Sequence, residues 1–530
     1  MQSGSICEAE LAMDILVIRT HRLGDVLQLT PMLQGLREKH PSGKITFFTG
    51  RDMTGLLSDN PNIDEIVSIP EKEYRWHLKN RPESYARIYN ETYDLLSELR
   101  QRRFQLIVNR QYEVGGIMAG LIGADEIRGG SFCPGRGFVF EDEVSKALFG
   151  IIRTNRKANR RNLVDWACHI AGVPPGCGDM AFYIQETDRW EADALLMAGG
   201  VREDESPVAV QMGAARSFRQ WGAENYGQVI KWLVNARDTK VVLLGSDDEK
   251  GLAEVIRRNL SKENSRVIDL IGKTTLKTLG GALERCQCLI TGDTGTMHMA
   301  ASVGIPVIAL FYGTAYPWET GPYGTGHLVL YADEPCAPCL NPGDCTSGHR
   351  CRKAITPEHV CRVLEIAGAM RKYPSTPLSW ADDGVRLYMT LTQPGHDQLL
   401  VPIDKVNSEH RESGLFFPRE PGRALDSGRI LESAADALVQ RGDNIIKKFY
   451  EGNKEGFLET LPEYFDRLGR VVEFAKGRQH GDEMIQLLTP ALNEACRAME
   501  AEDYVTIIDL IQYKFKPIFK SGTQEIKKNK

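Results

Sequence analysis

No stretch of about 18 consecutive apolar residues occurs in the 530-residue chain, which excludes a membrane-spanning helix of ordinary length. The opening residues MQSGSICEAELAMD have neither a basic start nor an apolar core, and they carry Glu8, Glu10 and Asp14. They do not read as a secretory signal, and Met13, just before the first strand, reads as an alternative start. A surplus of positive charge is also missing. The net charge is −6, so the broad basic footprint of a nucleic-acid-binding protein is absent and no nucleic-acid partner is expected. The basic run RTNRKANRR (153 to 161) reads as a solvated loop or helix face. Cysteine is sparse, with 12 in 530 residues, too dilute for a disulfide framework. Free thiols and a cytoplasmic location are expected.

What is present is alternation. DILVIRT (14 to 20) reads as a strand, and VLQLTPMLQGLREKHP (26 to 41) has helical spacing that stops at a proline. KITFFTG (44 to 50), IDEIVSI (63 to 69) and FQLIVNR (104 to 110) continue the sheet. A second series begins near residue 206 with PVAVQMG, KVVLLGS, RVIDLIG, CLITGD and PVIALFYG. Strands separated by helices imply parallel α/β sheets covered on both faces. The fold class is therefore α/β, in two successive halves.

The helix and Pro/Gly-rich loop NLVDWACHIAGVPPGCG suits the junction. The reading gives a first half over 13–185 and a second over 186–372. A Pro-, Gly- and charge-rich linker or small irregular module follows over 373–426. Apolar residues then recur at three and four from 427 to 530, the pattern of an antiparallel α-helical bundle of about four helices.

Three turns carry residues suited to chemistry. CLITGDTGTMHMA (288 to 300) runs a strand into Gly292, Asp293, Thr294 and Gly295 and then a helix bearing His298. The unpaired amides at such a helix start form an anion site, and glycine lets the backbone approach a phosphate. IRTHRLGDVLQL places Gly24 and Asp25 at the corresponding turn of the first half. VAVQMGAARSFRQW ends a strand at Gly213 and carries Arg216 and Arg219, cations able to neutralise a departing diphosphate. Each turn alone fits a structural cap equally well.

Together, in this order and spacing, the three stretches and GPYG (321 to 324) resemble glycosyltransferase family 9, the ADP-heptose:lipopolysaccharide heptosyltransferases, over roughly residues 13 to 365. The resemblance implies a GT-B fold, two Rossmann-like domains facing a cleft, with acceptor on the first and nucleotide sugar on the second. It implies Asp25 as catalytic base, and Gly24, Gly213, Arg219, Asp293, Thr294, Gly295 and His298 as donor-binding residues. Arg219 stands where the family usually has a lysine, which keeps the charge and changes the geometry. One of Asp247, Asp248 and Glu249 would lie near the ribose. An inverting transfer from an ADP-sugar to a lipopolysaccharide-core or other glycan acceptor follows, with no catalytic metal expected.

Two features lie beside this reading. Cys336, Cys339, Cys345 and Cys351 are spaced C-x2-C-x5-C-x5-C, which suits either free thiols or a structural zinc or iron site, with His349 as a substitute ligand. The bundle lies outside the resemblance and could serve an oligomer or a protein partner. Two rival readings remain: the same chemistry on a protein acceptor, and a non-catalytic adaptor working through the bundle. Peripheral contact with the inner face of a membrane is compatible with all three.

Overall fold

The computed structural model describes residues 13–112, 114–214, 216–259, 265–339, 345–372, 378–382, 384–406, 427–476 and 481–520. The chain divides into two compact units: Met1–Tyr183 with Pro207–Arg419, and Ile184–Ser206 with Glu420–Lys530.

The first unit holds two sheets. One has six strands, β1 (Asp14–Ile18), β2 (Lys44–Gly50), β3 (Glu65–Ile69), β4 (Leu106–Asn109), β5 (Glu126–Cys133) and β6 (Gly137–Phe140), in the order β3-β2-β1-β4-β5-β6. β1 pairs in parallel with β2 and β4, and only β6 runs antiparallel. Ile15, Leu16, Val17 and Ile18 of the central strand are fully buried, because a parallel strand covered on both faces needs an unbroken apolar run. The order reverses at β1 and β4, so the loops leaving their carboxyl ends open the crevice where such sheets bind ligands.

The other sheet has eight strands: β7 (Val208–Gln211), β8 (Val241–Leu244), β9 (Val267–Asp269), β10 (Cys288–Gly292), β11 (Val307–Phe311), β12 (Leu328–Ala332), β13 (Val385–Gln393) and β14 (His396–Pro402). Their order is β14-β13-β12-β11-β10-β7-β8-β9, with the switch between β10 and β7. Cys286 and Cys288 are buried beside this central strand, as core residues. β13 and β14 fall within the segment 373–426 expected as a linker or small irregular module, on its two strand-like runs VRLYMTL and QLLVPI. They form a hairpin antiparallel to β12, and alternating burial along VRLYMTLTQ marks a strand with one face in the core. The remainder of that segment, 407–426, lies outside the described residues, as does the tail 521–530.

The second unit is helical, with Ser427–Tyr450, Lys454–Ala475, Gly481–Glu500 and Tyr504–Leu510, the last continuing through a π turn at Ile511–Phe515. Helix Glu186–Ala198 joins this bundle, although the sequence assigns it to the second α/β half. Trp190 and Ala194 pack in one core with Leu438, Tyr464, Leu488 and Phe515, and Glu191 pairs with Arg467. An amphipathic helix announces a buried stripe without naming the surface that covers it, so the boundary at 186 falls on the wrong side of this helix.

The basic run 153–161 is corrected only in part: Arg153, Lys157 and Arg160 are exposed, as a solvated face requires, whereas Arg156 and Arg161 are partly buried where the run crosses between the two α/β halves. The Arg156 guanidinium holds the buried Glu319 carboxylate by Nε at 3.1 Å and Nη2 at 2.5 Å. Arg160 lies 4.3 Å over the Trp318 ring, and Arg161 reaches Asp397 at 2.6 Å. Asn162 donates to the Gly321 carbonyl at 3.1 Å while its oxygen caps helix Leu163–Ala171 through the Val164 amide. The partners that hold Arg156 and Arg161 lie more than 150 residues away in sequence.

Removing one partner of a buried ion pair strands the other charge, at a cost of about 3 kcal/mol or more. Arg156→Met is therefore expected to destabilise the first unit by roughly that amount in urea unfolding. Arg156→Met with Glu319→Leu should recover most of the loss, and a double variant no better than the single would remove the pair from this role.

Candidate functional site

The first turn begins where β1 ends. Arg22 precedes helix Leu23–Leu27 with φ +68, a left-handed conformation that a non-glycine residue holds only under constraint from its surroundings. Thr20 supplies part of that constraint, its amide and hydroxyl both donating to the Gln111 side-chain oxygen at 2.7 and 2.9 Å. Asp25, in the first turn of the helix, is ion-paired with Arg19, and Arg22 Nη1 stands 3.9 Å away. Arg19 also donates to the Arg110 carbonyl at 2.5 Å. Burial holds the Arg19 guanidinium below its ordinary pKa, against the opposing pull of Asp25.

The second turn leaves β10. Thr294 caps helix Gly295–Ser302, its hydroxyl accepting from the Met297 amide. Asp293 is nearly sealed from solvent and lies 3.3 Å from Arg219 Nη2. Burial raises its pKa, partly offset by Arg219 and reinforced by Asp25, while Thr320 hydrogen-bonds to it. Arg219 is fixed by Thr314 at 3.1 Å and by its own carbonyl, which accepts from the Tyr312 hydroxyl at 2.7 Å. Arg216, the other cation of this loop, is exposed.

The two turns meet. A methyl group on Gly24 would stand 2.5 Å from His298 Cδ2, and one on Gly295 would stand 3.1 Å from Leu23 Cδ2. Glycine is required at position 24 because the imidazole of one half rests on the backbone of the other. Burial pulls His298 down to about 4, the Asp25 charge opposing it, so the ring is neutral at neutral pH. Its Nδ1 is buried with no hydrogen-bond partner among the described residues. Asp25, Asp293 and His298 thus sit within electrostatic reach of one another.

Gly213 belongs to the same floor. A side chain there would overlap the Glu249 carboxylate, which accepts from Gln211 Nε2 at 3.0 Å and the Ser246 amide at 2.8 Å. Among the three acids after β8, Glu249 is the one turned toward this strand end, whereas Asp247 is exposed and paired with Lys250. The spacing Ser246-x-x-Glu249 is a capping-box signature legible in the sequence.

Sequence reasoning missed the cavity next to Asp25. It encloses about 240 Å³ and is lined by Arg22, Asp25, Arg110, Tyr112, Phe138 and, from the second half, Thr320, among others. Burial and the neighbouring Arg19 pull Arg110 down to about 10. Arg110 Nε, Gln111 Nε2 and Gln28 Nε2 are buried without a partner among the described residues. Unpaired buried donors beside a surplus of guanidinium groups suit an anionic, hydroxyl-bearing ligand. The signal lay in FQLIVNRQY, a strand running directly into Arg110 and Gln111.

Among the described residues no group of three or more His, Cys, Asp or Glu side chains is arranged to hold a metal ion. Cys336 is exposed and Cys351 buried, and Cys345 instead accepts from the His349 amide at 3.3 Å. The Cys336, Cys345 and Cys351 thiols nonetheless lie within electrostatic reach of Cys339, whose pKa is raised by burial first and by these neighbours next, and the intervening residues 340–344 lie outside the described set.

Comparison with known proteins follows this geometry. The family model described as Glycosyltransferase family 9 (heptosyltransferase) matches residues 161–348, and a domain of unknown function, DUF8042, matches residues 431–525. The chain is 31% identical over 366 residues to the lipooligosaccharide heptosyltransferase 2 of Haemophilus influenzae, covering 65% of this chain and 96% of that protein. Its match to the Campylobacter jejuni lipooligosaccharide heptosyltransferase 2, 29% identical over 145 residues, spans 45% of that protein. Among solved structures, a family 9 glycosyltransferase of Veillonella parvula superposes with TM-score 0.55 at 22% identity, over 67% of this chain and 98% of that one. The ADP-heptose lps heptosyltransferase II of Escherichia coli superposes with TM-score 0.50 at 19% identity, over the same shares. The two facing α/β halves are the GT-B fold.

His298 gives the site a pH signature. Its pKa lies near 4 when folded, against an ordinary 6.5, so the stability it contributes is complete above pH 6.5 and is lost as pH falls toward 4. The stability difference between the parent and His298→Gln, measured by urea unfolding, is expected to shrink below pH 6.5 by about 1.4 kcal/mol per pH unit. A difference independent of pH would mean the ring titrates alike in both states.

Proposed function

The chain belongs to glycosyltransferase family 9, the heptosyltransferases, and is a glycosyltransferase; we propose that it moves a heptose or related sugar from an ADP-sugar to an anionic lipopolysaccharide-core acceptor, with inversion. The observation carrying this reading is the contact of the two turns. His298 rests on Gly24, which brings the Asp25 carboxylate to the strand end where Asp293, Thr294 and Gly295 offer a diphosphate site.

The chemistry follows from these parts. The acceptor hydroxyl in the Arg22–Arg110 cavity gives its proton to Asp25 as its oxygen attacks the anomeric carbon from the face opposite the diphosphate. The bond from that carbon to the diphosphate oxygen breaks, and its electron pair leaves with ADP. Arg219 and the amides at Thr294 and Gly295 meet the charge that develops there. Arg19 holds Asp25 in position, and the neutral His298 ring fills the seam without adding charge. Glu249 is suited to the ribose hydroxyls. The E. coli heptosyltransferase named above is titled for ADP-heptose, which supports the donor class.

The acceptor class rests on charge. Arg19, Arg22 and Arg110 outnumber Asp25 around the cavity, and acidic core sugars would meet that surplus.

Asp25→Asn keeps the size of the side chain and removes its basicity. Transfer from an ADP-sugar should fall by about a thousandfold, with ADP affinity within a few fold of the parent, and proton NMR of the parent's product should show the anomeric configuration inverted. Persistent transfer in the variant would remove Asp25 from the role of base, and retention would require a different mechanism.

A further inference from the structure

Helix Leu163–Ala171 and the loop after it carry two thiols that the proposed transfer does not use. Cys168 and Cys177 stand with their sulfurs 3.9 Å apart. Gly172 ends the helix in the left-handed conformation, φ +70, and the Val173 amide returns to the Cys168 carbonyl at 3.0 Å. This turn is what lets a cysteine nine positions on meet Cys168.

The surroundings of the two differ. Cys168 is sealed in the core at 0% exposure. Cys177 is half-buried and lines an open cavity of about 850 Å³ whose other walls include Pro174, Met180, Tyr323 and Gly395. The Cys177 thiol donates to the Pro31 carbonyl at 3.0 Å. That commits its single proton, so Cys168 is the donor between the two sulfurs. The hydrogen bond from Cys168 lowers the Cys177 pKa, against burial, and the same bond together with burial raises that of Cys168. One thiol is thus reachable and readier to ionise, and the other is enclosed and keeps its proton. This is the division between a reactive and a resolving cysteine.

Closing the gap to a bonded distance of about 2 Å requires side-chain rotation. Cys177 rests against helix Thr30–Lys39, where a methyl group on Gly35 would stand 2.9 Å from its sulfur. Rotation toward Cys168 exchanges the Pro31 contact for the new bond.

We propose that Cys168 and Cys177 form a reversible disulfide when the chain meets a hydroperoxide, with Cys177 attacking and Cys168 resolving. The Cys177 thiolate sulfur attacks one peroxide oxygen and the O–O bond breaks. The departing oxygen takes up the proton that Cys177 released and leaves as water, or as an alcohol from an organic hydroperoxide. Cys177 is then a sulfenic acid. The Cys168 sulfur displaces its hydroxyl, which leaves as water with the Cys168 proton as the S–S bond forms. The thiol pair has given up two electrons and two protons, and the peroxide has accepted them. A small dithiol reverses the step by exchange and is itself oxidised. This chemistry is independent of the transfer reaction proposed above.

Trypsin releases both cysteines in one peptide, Asn162–Arg189, which holds no other cysteine, and it releases Cys361 alone in Ala354–Arg362. Burial pushes the Cys361 thiol up to about 11, which makes it a slow reference. The folded full chain is treated with hydrogen peroxide for increasing times, alkylated in urea and mapped by mass spectrometry. Peptide Asn162–Arg189 should lose both alkyl groups together, appear two hydrogens lighter than the dithiol, and recover with dithiothreitol. Its loss should be at least about tenfold faster than that of Cys361. Dimedone should trap a sulfenic acid at Cys177 in Cys168→Ser, whereas Cys168 should stay alkylatable in Cys177→Ser. Circular dichroism checks that each variant folds, and the map of the parent stands without them. A peptide that keeps both alkyl groups throughout, is lost no faster than Cys361, or is linked to another cysteine would overturn the pair. A sulfenic acid trapped at Cys168 in Cys177→Ser would overturn the order of attack.

Discussion

The arrangement depends on a strap of cations held between the two α/β halves. Arg156 grips the buried Glu319, Arg160 covers Trp318, and Arg161 reaches Asp397 on the β13–β14 hairpin. Behind them Asp165 accepts from the Tyr323 hydroxyl at 2.7 Å and the Gln398 amide at 2.9 Å. Desolvating charges is expensive, and a buried pair often adds little net stability over an apolar substitute. What such a set confers is register, because each directional partner accepts only one placement of the other half. The antiparallel hairpin β13–β14 has its place in the same logic, since it supplies Asp397 and Gln398.

Register matters because the seam between the two turns has no slack. His298 lies on Gly24 closely enough that a methyl group would not fit, and Arg22 is held with φ +68 at the same turn. A strained residue and a glycine-only contact on the two sides of one junction describe a site whose geometry is set before ligand arrives. The electrostatics agree with that design. The seam carries two carboxylates, Asp25 and Asp293, each beside its own arginine, with the buried His298 ring kept neutral between the halves.

Much of this was legible in the residues. Apolar runs such as ILVI and CLIT announced central parallel strands, and Gly-Asp at two strand ends announced the facing turns, because the same local chemistry builds both. Three things were not legible. Within the run RTNRKANRR the anchoring of Arg156 and Arg161 was not legible, because Glu319 and Asp397 are remote in sequence. Helix Glu186–Ala198 was placed with the nearer sheet because periodicity reveals a buried stripe but not its partner. The four cysteines suggested a metal by spacing, whereas ligand geometry depends on side-chain directions; among the described residues no set of three or more ligands is arranged for one, and Cys345 accepts from the His349 amide of its own loop. Arg110 and its unpartnered Nε were hidden in an unremarkable strand end.

The proposed function requires an adenine-nucleotide diphosphate site facing Asp25, built by the turn after β10 and the strand ends around Gly213 and Glu249. Calorimetric titration of the full chain with ADP, using UDP, GDP and CMP as competitors, measures it. One ADP site per chain is expected, tighter by at least about tenfold than the other nucleotides and weakened by Arg219→Met. Equal affinity for all four nucleotides, or no binding of ADP, would rule such a site out.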